Sequence, residues 1–205
     1  MDKTAERIFL ETLGILTAAI EELDPWMKGR PQQVAGMCVY LAQALRCPQE
    51  EVKLTYRAAL LHDLGTLISY DDHHLHSQSL IINSGLPGFR PRETALIGLM
   101  TRYHRKGRPR IDGFEQLLQE GDEQRLMYLA AILRLAEFLE RGRNANVDDV
   151  GAHWDEKTLY LTLYADEFPA VEIWEAERNA AGLIGKAFGR GVIIESTAAP
   201  GDWRV

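Results

Sequence analysis

The residues that could do chemistry are concentrated in one stretch, residues 57–77, which reads RAALLHDLGTLISYDDHHLHS. Four of the six histidines of the chain lie in it, and His62 is followed directly by Asp63. An imidazole beside a carboxylate supplies two ligands that suit Mg²⁺, Mn²⁺, Fe or Zn²⁺. A His-Asp dipeptide alone more often marks a capped helix end with a satisfied histidine. The rest of the chain must therefore decide what this pair does.

Helical spacing separates the three histidines that follow the pair. A helix capped by Asp71 or Asp72 would put His73 and His76 on one face, three residues apart, and would turn His74 elsewhere. We therefore predict that His76 is the functional histidine, with His73 as its candidate companion. The same spacing predicts that His74 faces solvent.

One basic segment stands out in an acidic chain. Residues 102–110 read RYHRKGRPR and place Arg102, Arg105 and Lys106 around His104. Such a run is usually a solvated loop, but it could also hold a polyanion such as a phosphate chain. The formal net charge of −7 argues against broad binding to nucleic acid.

Length and composition are those of an ordinary globular protein. The 205 residues are 46% hydrophobic and 26% charged, which is enough for one good core and a small appendage. No apolar run approaches the roughly 20 residues that span a bilayer, and charges interrupt the N-terminal segment where a secretory signal would be apolar. We therefore expect a cytoplasmic protein that does not interact with membranes. Cys38 and Cys47 lack zinc-site spacing and are predicted to be core thiols.

Apolar residues at helical spacing predict the scaffold that positions these side chains. Helices begin near residues 4, 30, 48, 71, 91 and 121, and the third ends at the His62-Asp63 pair. Gly65 is predicted to cap that third helix. Glu137 lies inside the apolar stretch of the last of these helices. It must therefore be either exposed or buried with a partner, because an unpaired buried charge is costly.

The periodicity changes after residue 145. Leu159, Leu161 and Leu163 alternate with polar and aromatic residues, which is typical of a strand. One helix over residues 171–188 and a short strand at 192–194 are predicted to follow. The sequence therefore predicts a mainly α protein, with a helical domain over residues 1–145 and a small α+β appendage over residues 146–205.

The segments LLHDLG, HHLHS, LPGF, RYHRK and LRLAEFLERGR, in this order, resemble the HD superfamily of metal-dependent phosphohydrolases. The resemblance implies an HD-domain helical bundle. More narrowly, the chain from about residue 30 to its end resembles the C-terminal region of the exopolyphosphatase and guanosine pentaphosphate phosphohydrolase (Ppx/GppA) family. Full-length members carry an actin-like module ahead of this region, which the resemblance implies hydrolyses polyphosphate or pppGpp. The sequence has no counterpart of that module, so we expect its activity not to transfer.

The resemblance also implies a set of metal ligands. The His-Asp pair of the family matches His62 and Asp63, and the intermediate histidines match His76 and His104. The late aspartate of the family falls on Glu137, which keeps the carboxylate on a longer side chain. A divalent metal, Mg, Mn, Fe or Zn, would be held by these five residues.

Arg30 stands where the resemblance places the first histidine ligand. An arginine cannot ligate a metal and is permanently cationic, so the metal is not assured. A guanidinium at that point would instead suit an oxyanion. Asp63 and Glu137 could then be ion-pair partners that hold the arginine in place.

Three functions remain open at the level of the sequence. The first is a protein that binds phosphate-rich ligands such as polyphosphate or nucleotides beside a degenerate metal site, and its residual phosphohydrolase activity is left open. Its predicted binding residues are Arg30, Arg102, Arg105 and Lys106. The second is an active metal-dependent phosphohydrolase that uses Asp63, His76 and His104 in catalysis. The third is a regulatory module that forms a homodimer, for which Trp26, Trp203 and the first helix are candidate surfaces. Whether the chain is an enzyme stays open.

Overall fold

The computed structural model describes residues 3–23, 28–142 and 144–201. The described residues are mainly α-helical, as predicted. The helical part comprises α1 (Lys3–Leu23), α2 (Arg30–Ala44), α3 (Gln49–Leu61), α4 (His73–Ser84), α5 (Pro91–Tyr103) and α6 (Asp122–Leu139). No helix in the described part of the chain is both long enough and apolar enough to cross a membrane.

Local sequence explains where these helices begin. Gly29 adopts a positive φ of 72° immediately before α2, and Pro31 occupies the first turn, where its missing N–H costs nothing. Pro48 precedes α3, whose first turn carries Glu50 and Glu51 at the positive end of the helix dipole. Helix α2 therefore starts at Arg30, which fixes the position of that side chain in the fold.

Helix α6 is the central helix of the core. Its residues Ala130, Ile132, Leu133 and Ala136 are fully buried. Helices α2, α3, α5, α7 and α8 all pack on it. This explains why α6 is apolar on a wide face, and it makes any charged side chain in its last turns expensive unless that side chain is paired.

The C-terminal part adds a small sheet and two helices, which confirms the predicted α+β appendage. Its elements are β1 (Asp149–Trp154), β2 (Thr158–Tyr164), α7 (Ala170–Asn179), α8 (Ala181–Phe188) and β3 (Gly191–Ser196). The strand order is β1-β2-β3, with β1 antiparallel and β3 parallel to β2. The three alternating leucines of β2 face the core. One hydrophobic cluster includes residues from both sides of residue 145. The predicted division into two domains at that point stays a prediction.

The single helix predicted over residues 171–188 is wrong, because the chain forms two helices that meet at Ala180. Ala180 leaves the helical region, with φ −122° and ψ −37°, and the Asn179 side chain donates to the backbone oxygen of Glu175. Ala176, Ala180 and Ile184 are all buried at a spacing of four residues. The apolar periodicity therefore continues across the break and conceals it.

Gly65 does not cap α3, contrary to the prediction. It lies inside a short 3-10 helix, Leu64–Leu67, that connects α3 to α4. A Cβ atom at this position would collide with the backbone oxygen of His73 and lie 2.5 Å from the backbone nitrogen of Ser77. Its N–H donates to Ser77 Oγ at 2.8 Å, and that hydroxyl donates to the backbone oxygen of His62 at 2.7 Å. The glycine thus lets the start of α4 pack directly against the His62-Asp63 segment.

Candidate functional site

Side chains from α2 and α3–α5 converge on Asp63, which lies just after α3. His73 Nε2 lies 3.0 Å and His104 Nε2 lies 3.7 Å from Asp63 Oδ1. The other carboxylate oxygen, Oδ2, lies 3.1 Å from His62 Nε2 and 3.4 Å from Arg30 Nε. Asp63 is only 6% exposed, and both His62 and His104 are fully buried. We call this group, with Glu137, the Asp63 centre.

Glu137 from α6 completes the centre as a second buried carboxylate. Its Oε1 accepts a hydrogen bond of 2.5 Å from Arg30 Nη2, and its Oε2 lies 3.3 Å from His62 Nε2. Arg30 Nη1 also donates to the backbone oxygen of Glu140 at 3.3 Å. Glu137 was predicted to be either exposed or buried with a partner, and it is buried. Its partner is the guanidinium of Arg30, which lies between Glu137 and Asp63.

The three imidazoles of the centre share one orientation. Each Nδ1 contacts the carbonyl oxygen three residues earlier, at 2.5 Å for His62, 2.8 Å for His73 and 2.6 Å for His104. A carbonyl only accepts, so Nδ1 carries a proton in each ring. Every Nε2 atom is therefore directed at Asp63. This is the orientation that histidine ligands of metals adopt when a backbone carbonyl holds their other nitrogen.

Burial and neighbouring charges shift the pKa values of His62, His104 and Glu137 in the Asp63 centre. Burial opposes the charge of His62, but Asp63 and Glu137 outweigh burial and raise its pKa to about 10. Burial and the charge of His62 lower the pKa of His104 to about 3. Burial works against ionised Glu137, yet His62 and Arg30 lower its pKa to about 2. At neutral pH, therefore, Arg30 and His62 balance the charges of Asp63 and Glu137.

These pKa shifts predict that the free energy of unfolding is greatest near pH 6.5. The folded pKa of His62 lies above its ordinary 6.5, so its stabilising contribution is complete below about pH 6.5 and is lost as the pH rises toward 10. The folded pKa of His104 lies below 6.5, so its contribution is complete above that pH and is lost as the pH falls toward 3. Each arm should approach about 1.4 kcal/mol per pH unit at its steepest. Denaturant titrations on both sides of neutrality measure both arms.

A His62→Gln variant provides the control for the alkaline arm. Because glutamine does not titrate, the decrease above pH 6.5 should flatten while the acid arm remains. Stability of the wild-type chain that rises steadily above pH 7 would contradict the charge assigned to His62.

The donor atoms of the centre also fit a transition metal in part. Ligand atoms of His62, Asp63 and His104 all lie within 4.8 Å of one another, and His73 adds a third imidazole. Among the described residues, His62 Nε2 and Glu137 Oε2 are buried without an aligned hydrogen bond, although both are within ion-pair distance of partners. Imidazole and carboxylate together suit Zn or Fe better than Mg. Arg30, however, occupies one oxygen of each carboxylate.

The structure brings His73, and not His76, to Asp63. His76 is half-buried on α4 and is not among the side chains around Asp63. The prediction that His74 faces solvent is wrong, since His74 is only 4% exposed. Helix α4 starts at His73, after Asp72 at a positive φ of 52°. The close approach at Gly65 then directs the first turn of α4, rather than its second turn, at the centre.

The basic residues do not form one site. Arg30 is buried in the Asp63 centre, where it is only 3% exposed, and its role in binding a ligand stays a prediction. Arg102 donates to Gln78 Oε1 at 2.8 Å and lines a different cavity from Arg105 and Lys106. Only the latter two share a pocket. The four predicted binding residues therefore lie in three places. Arg30 is buried, Arg105 and Lys106 share one pocket, and Arg102 lines another.

A pocket of about 690 Å³ lies beside the Asp63 centre. We call it the α4–α6 pocket. Its lining residues are Tyr70, Asp71, Asp72, His74, Arg105, Lys106, Phe138, Arg141, Glu175 and Asn179. Arg105 lies over the Tyr70 ring at 5.8 Å, and Lys106 Nζ lies 3.2 Å from Asp72 Oδ1. Arg141 connects the pocket to the centre, because its Nη1 lies 3.6 Å from Glu137 Oε1.

Three residues of this pocket were not predicted from the sequence as part of a site: Tyr70, His74 and Arg141. Arg141 follows Glu137 by four residues at the end of α6, a spacing that predicts contact on one helix face and could have identified it. His74 and Tyr70 gave no such signal, because their positions depend on how α4 packs.

A comparison with protein families matches residues 31–169 to a family described as Ppx/GppA phosphatase, domain III. The match spans more than half of the 205 residues. It includes α3 to α6, the strands β1 and β2, and every side chain of the Asp63 centre except Arg30, which lies one residue before it.

Proposed function

The chain belongs to the Ppx/GppA phosphatase family through its domain III, and from this premise we propose that it is a binding module for a phosphorylated ligand. The ligand is a nucleotide in preference to long polyphosphate, and it binds in the α4–α6 pocket. The observation that carries the proposal is Arg30, whose guanidinium lies between Asp63 and Glu137.

The burial of the Asp63 centre favours binding over catalysis. Hydrolysis at a metal requires that a phosphoryl oxygen and a water reach the ion. Burial of Asp63, His62 and His104 leaves little surface for such contact. Arg30 already supplies positive charge to both carboxylates, so a divalent ion would have to displace a guanidinium or the proton of His62.

The α4–α6 pocket supplies the donors that a phosphate group needs. Arg105, Lys106 and Arg141 line it, and arginine forks match pairs of phosphate oxygens. The pKa of His74 is lowered to about 4, first by burial and then by Lys106 and other nearby cations. A neutral His74 at pH 7 can donate to or accept from a ligand without adding charge.

The charge balance of the pocket favours a compact phosphate group. Asp71, Asp72 and Glu175 line the same pocket and match its three cations in number. A long polyanion depends on an extended positive field, which these carboxylates cancel. Tyr70 is 54% exposed, so its ring offers a face on which a base could stack. A nucleotide therefore uses both features of the pocket.

Charge reversal in the pocket tests this proposal. The double variant Arg105→Glu, Lys106→Glu should bind GTP at least about tenfold more weakly than the wild-type chain, because each charge-assisted hydrogen bond contributes about 1.5–3 kcal/mol. Isothermal titration calorimetry measures the affinity. Wild-type affinity for GTP should also exceed that for long-chain polyphosphate, counted per binding site.

A matched control changes the same number of charges elsewhere. Lys53 lies on α3 and Lys157 lies in the β1–β2 turn, and both are exposed. The double variant Lys53→Glu, Lys157→Glu should bind GTP as the wild-type chain does. Equal affinity of the pocket variant and this control variant would count against the proposal, as would tighter binding of polyphosphate than of GTP.

A second function, a metal-dependent phosphohydrolase, is favoured by one observation. The Nε2 atoms of His62, His73 and His104 all point toward Asp63, as ligands of a transition ion would. Such an ion would polarise a phosphoryl oxygen and lower the pKa of a bound water. Turnover of nucleotides with Mn²⁺ or Fe²⁺ that is lost in Asp63→Asn would support this function over binding alone.

The homodimer remains a prediction. Trp26 and Trp203 lie outside the described residues, and Ile8 and Ile15 are exposed on α1. Sedimentation of the full chain at several concentrations tests it directly.

A further inference from the structure

Arg134 is a buried cation on α6 that belongs neither to the Asp63 centre nor to the α4–α6 pocket. The residue is only 6% exposed. Burial lowers the pKa of its guanidinium to about 10, and no carboxylate of the described residues raises that pKa in return. The group is therefore charged at neutral pH. A charge buried in this way is costly unless other groups of the protein stabilise it.

In the described part of the chain, every hydrogen bond of Arg134 goes to a backbone oxygen at the end of α5 or just after it. Tyr103, the last residue of α5, accepts from Nε at 2.9 Å and from Nη2 at 2.5 Å. Gly107 accepts from Nη2 at 2.7 Å. The last carbonyls of a helix have no partner within it and carry partial negative charge, which suits a guanidinium. Arg134 therefore joins the two ends of residues 103–107, which we call the 103–107 segment.

The 103–107 segment carries side chains of both sites. His104 is fully buried in the Asp63 centre, and Arg105 and Lys106 line the α4–α6 pocket. Within residues 3–23, 28–142 and 144–201, residues 105–107 make no hydrogen bond from backbone to backbone. A side chain from α6 thus takes the place of the regular hydrogen bonds that would fix this backbone in a helix or strand.

The contacts of Arg105 and Lys106 with the pocket walls are weak. The guanidinium carbon of Arg105 lies 5.8 Å from the centre of the Tyr70 ring, and Lys106 Nζ lies 3.2 Å from Asp72 Oδ1. Both side chains of that ion pair are more than half exposed, and such pairs contribute little because water screens them. The placement of the two cations therefore depends on the backbone of the 103–107 segment.

We infer that Arg134 is a positioning residue for the α4–α6 pocket, because it fixes the segment that carries Arg105 and Lys106. The inference rests on the proposed function, since the affinity that it concerns is that for the phosphorylated ligand of this pocket. Arg134 is not among the lining residues, so it acts on the ligand through the 103–107 segment. A ligand binds more tightly when the groups that contact it are ordered beforehand, because less conformational entropy is then lost.

Arg134→Lys tests this inference without changing the net charge. A lysine ammonium is a single nitrogen and cannot join two carbonyls as the planar guanidinium does. GTP should bind to Arg134→Lys about five- to tenfold more weakly than to the wild-type chain, because two pocket side chains must then be ordered on binding. Isothermal titration calorimetry at a temperature where both chains are folded measures this affinity, and a loss of stability alone would not change it.

Arg125→Lys is the matched control. Arg125 also lies on α6, but its Nε lies 2.7 Å from Glu51 Oε1 and it lines a different pocket. GTP affinity should be unchanged in this variant.

A second measurement needs no ligand. Amide ¹⁵N relaxation should give residues 105–107 of the wild-type chain order parameters of about 0.85, the value of rigid backbone, and lower values in Arg134→Lys. Arg125→Lys should give the wild-type values.

The two measurements separate a failure of this inference from a failure of the proposed function. Order parameters that are unchanged in Arg134→Lys overturn the inference. Unchanged GTP affinity beside lowered order parameters also overturns it, because the role of Arg134 is then structural only. A wild-type chain that does not bind GTP contradicts the proposed function, while the order parameters still decide whether Arg134 fixes the segment.

A second variant covers the case in which Arg134→Lys does not fold. Arg134→Gln keeps an N–H donor on a shorter, neutral side chain, and both measurements can be repeated on it with the same expected results. Residues 105–107 that are already flexible in the wild-type chain would overturn the inference without any variant.

Discussion

Replacement of Arg30 by methionine should lower the free energy of unfolding by about 3–5 kcal/mol, the usual cost of removing one partner from a buried ion pair. Methionine retains much of the volume of the side chain but leaves Asp63 and Glu137 without their shared guanidinium. Both carboxylates are buried, so water cannot replace the lost charge. Denaturant unfolding at pH 7 measures the loss.

An exposed ion pair provides the control for this prediction. Arg110 and Asp112 lie 2.8 Å apart with about two-thirds of each side chain exposed. Such pairs contribute about 0–1 kcal/mol, so Arg110→Met should have little effect on stability. Adding Glu137→Gln to Arg30→Met should recover part of the loss, because one unpaired charge is removed. A loss below about 1 kcal/mol in Arg30→Met would contradict the account of Arg30 as the buried partner of both carboxylates.

Substitution of Gly65 by alanine should cost about 3 kcal/mol, the upper part of the range for an overpacked site. The added Cβ would meet backbone atoms of His73 and Ser77, and backbone cannot move aside as a flexible side chain can. Helix α4 would have to shift away from Asp63 and lengthen the contact between His73 and that carboxylate. A denaturant titration measures the stability, and the chemical shifts of the His73 ring report the displacement.

Gly98→Ala on α5 is the matched control. Its Cβ would lie 2.8 Å from Cδ1 of Ile82, the far end of a flexible side chain that can rotate away. Alanine also favours a helix over glycine by about 1 kcal/mol, which offsets the crowding. If both substitutions cost the same, Gly65 does not have the special role assigned to it in positioning α4.

The helices could be predicted from the sequence where local signals are strong. Pro31, Pro48 and Gly121 mark starts that the structure confirms at α2, α3 and α6. The break at Ala180 could not be predicted, because buried alanines keep the apolar period across it. The need for glycine at position 65 could not be predicted either. It arises because α4 packs so closely against Gly65 that no side chain fits there.

The candidate site was predictable in its residue types but not in its geometry. The sequence shows that His62 and Asp63 are adjacent and that Arg30 stands where the family resemblance places a histidine. These two observations led to the alternative of an ion-paired arginine. The choice between His73 and His76 is not visible there, because both lie on one face of α4. Which turn of that face meets Asp63 depends on the packing at Gly65, which is a tertiary interaction.

The side chain of Arg30 also connects the Asp63 centre to the end of α6. Arg30 contacts both carboxylates of the Asp63 centre through its side chain and the end of α6 through the backbone oxygen of Glu140. Loss of the guanidinium makes the centre more negative, so transition-metal affinity should rise in Arg30→Met.

A crystal structure of the full chain grown with Mn²⁺, with anomalous data collected at the manganese edge, would decide whether Arg30 or a metal ion occupies the Asp63 centre. We expect the guanidinium of Arg30 within hydrogen-bond distance of Asp63 and Glu137, and no anomalous peak among the imidazoles of the centre. A manganese peak coordinated by Asp63 and His62, with Arg30 displaced, would contradict it.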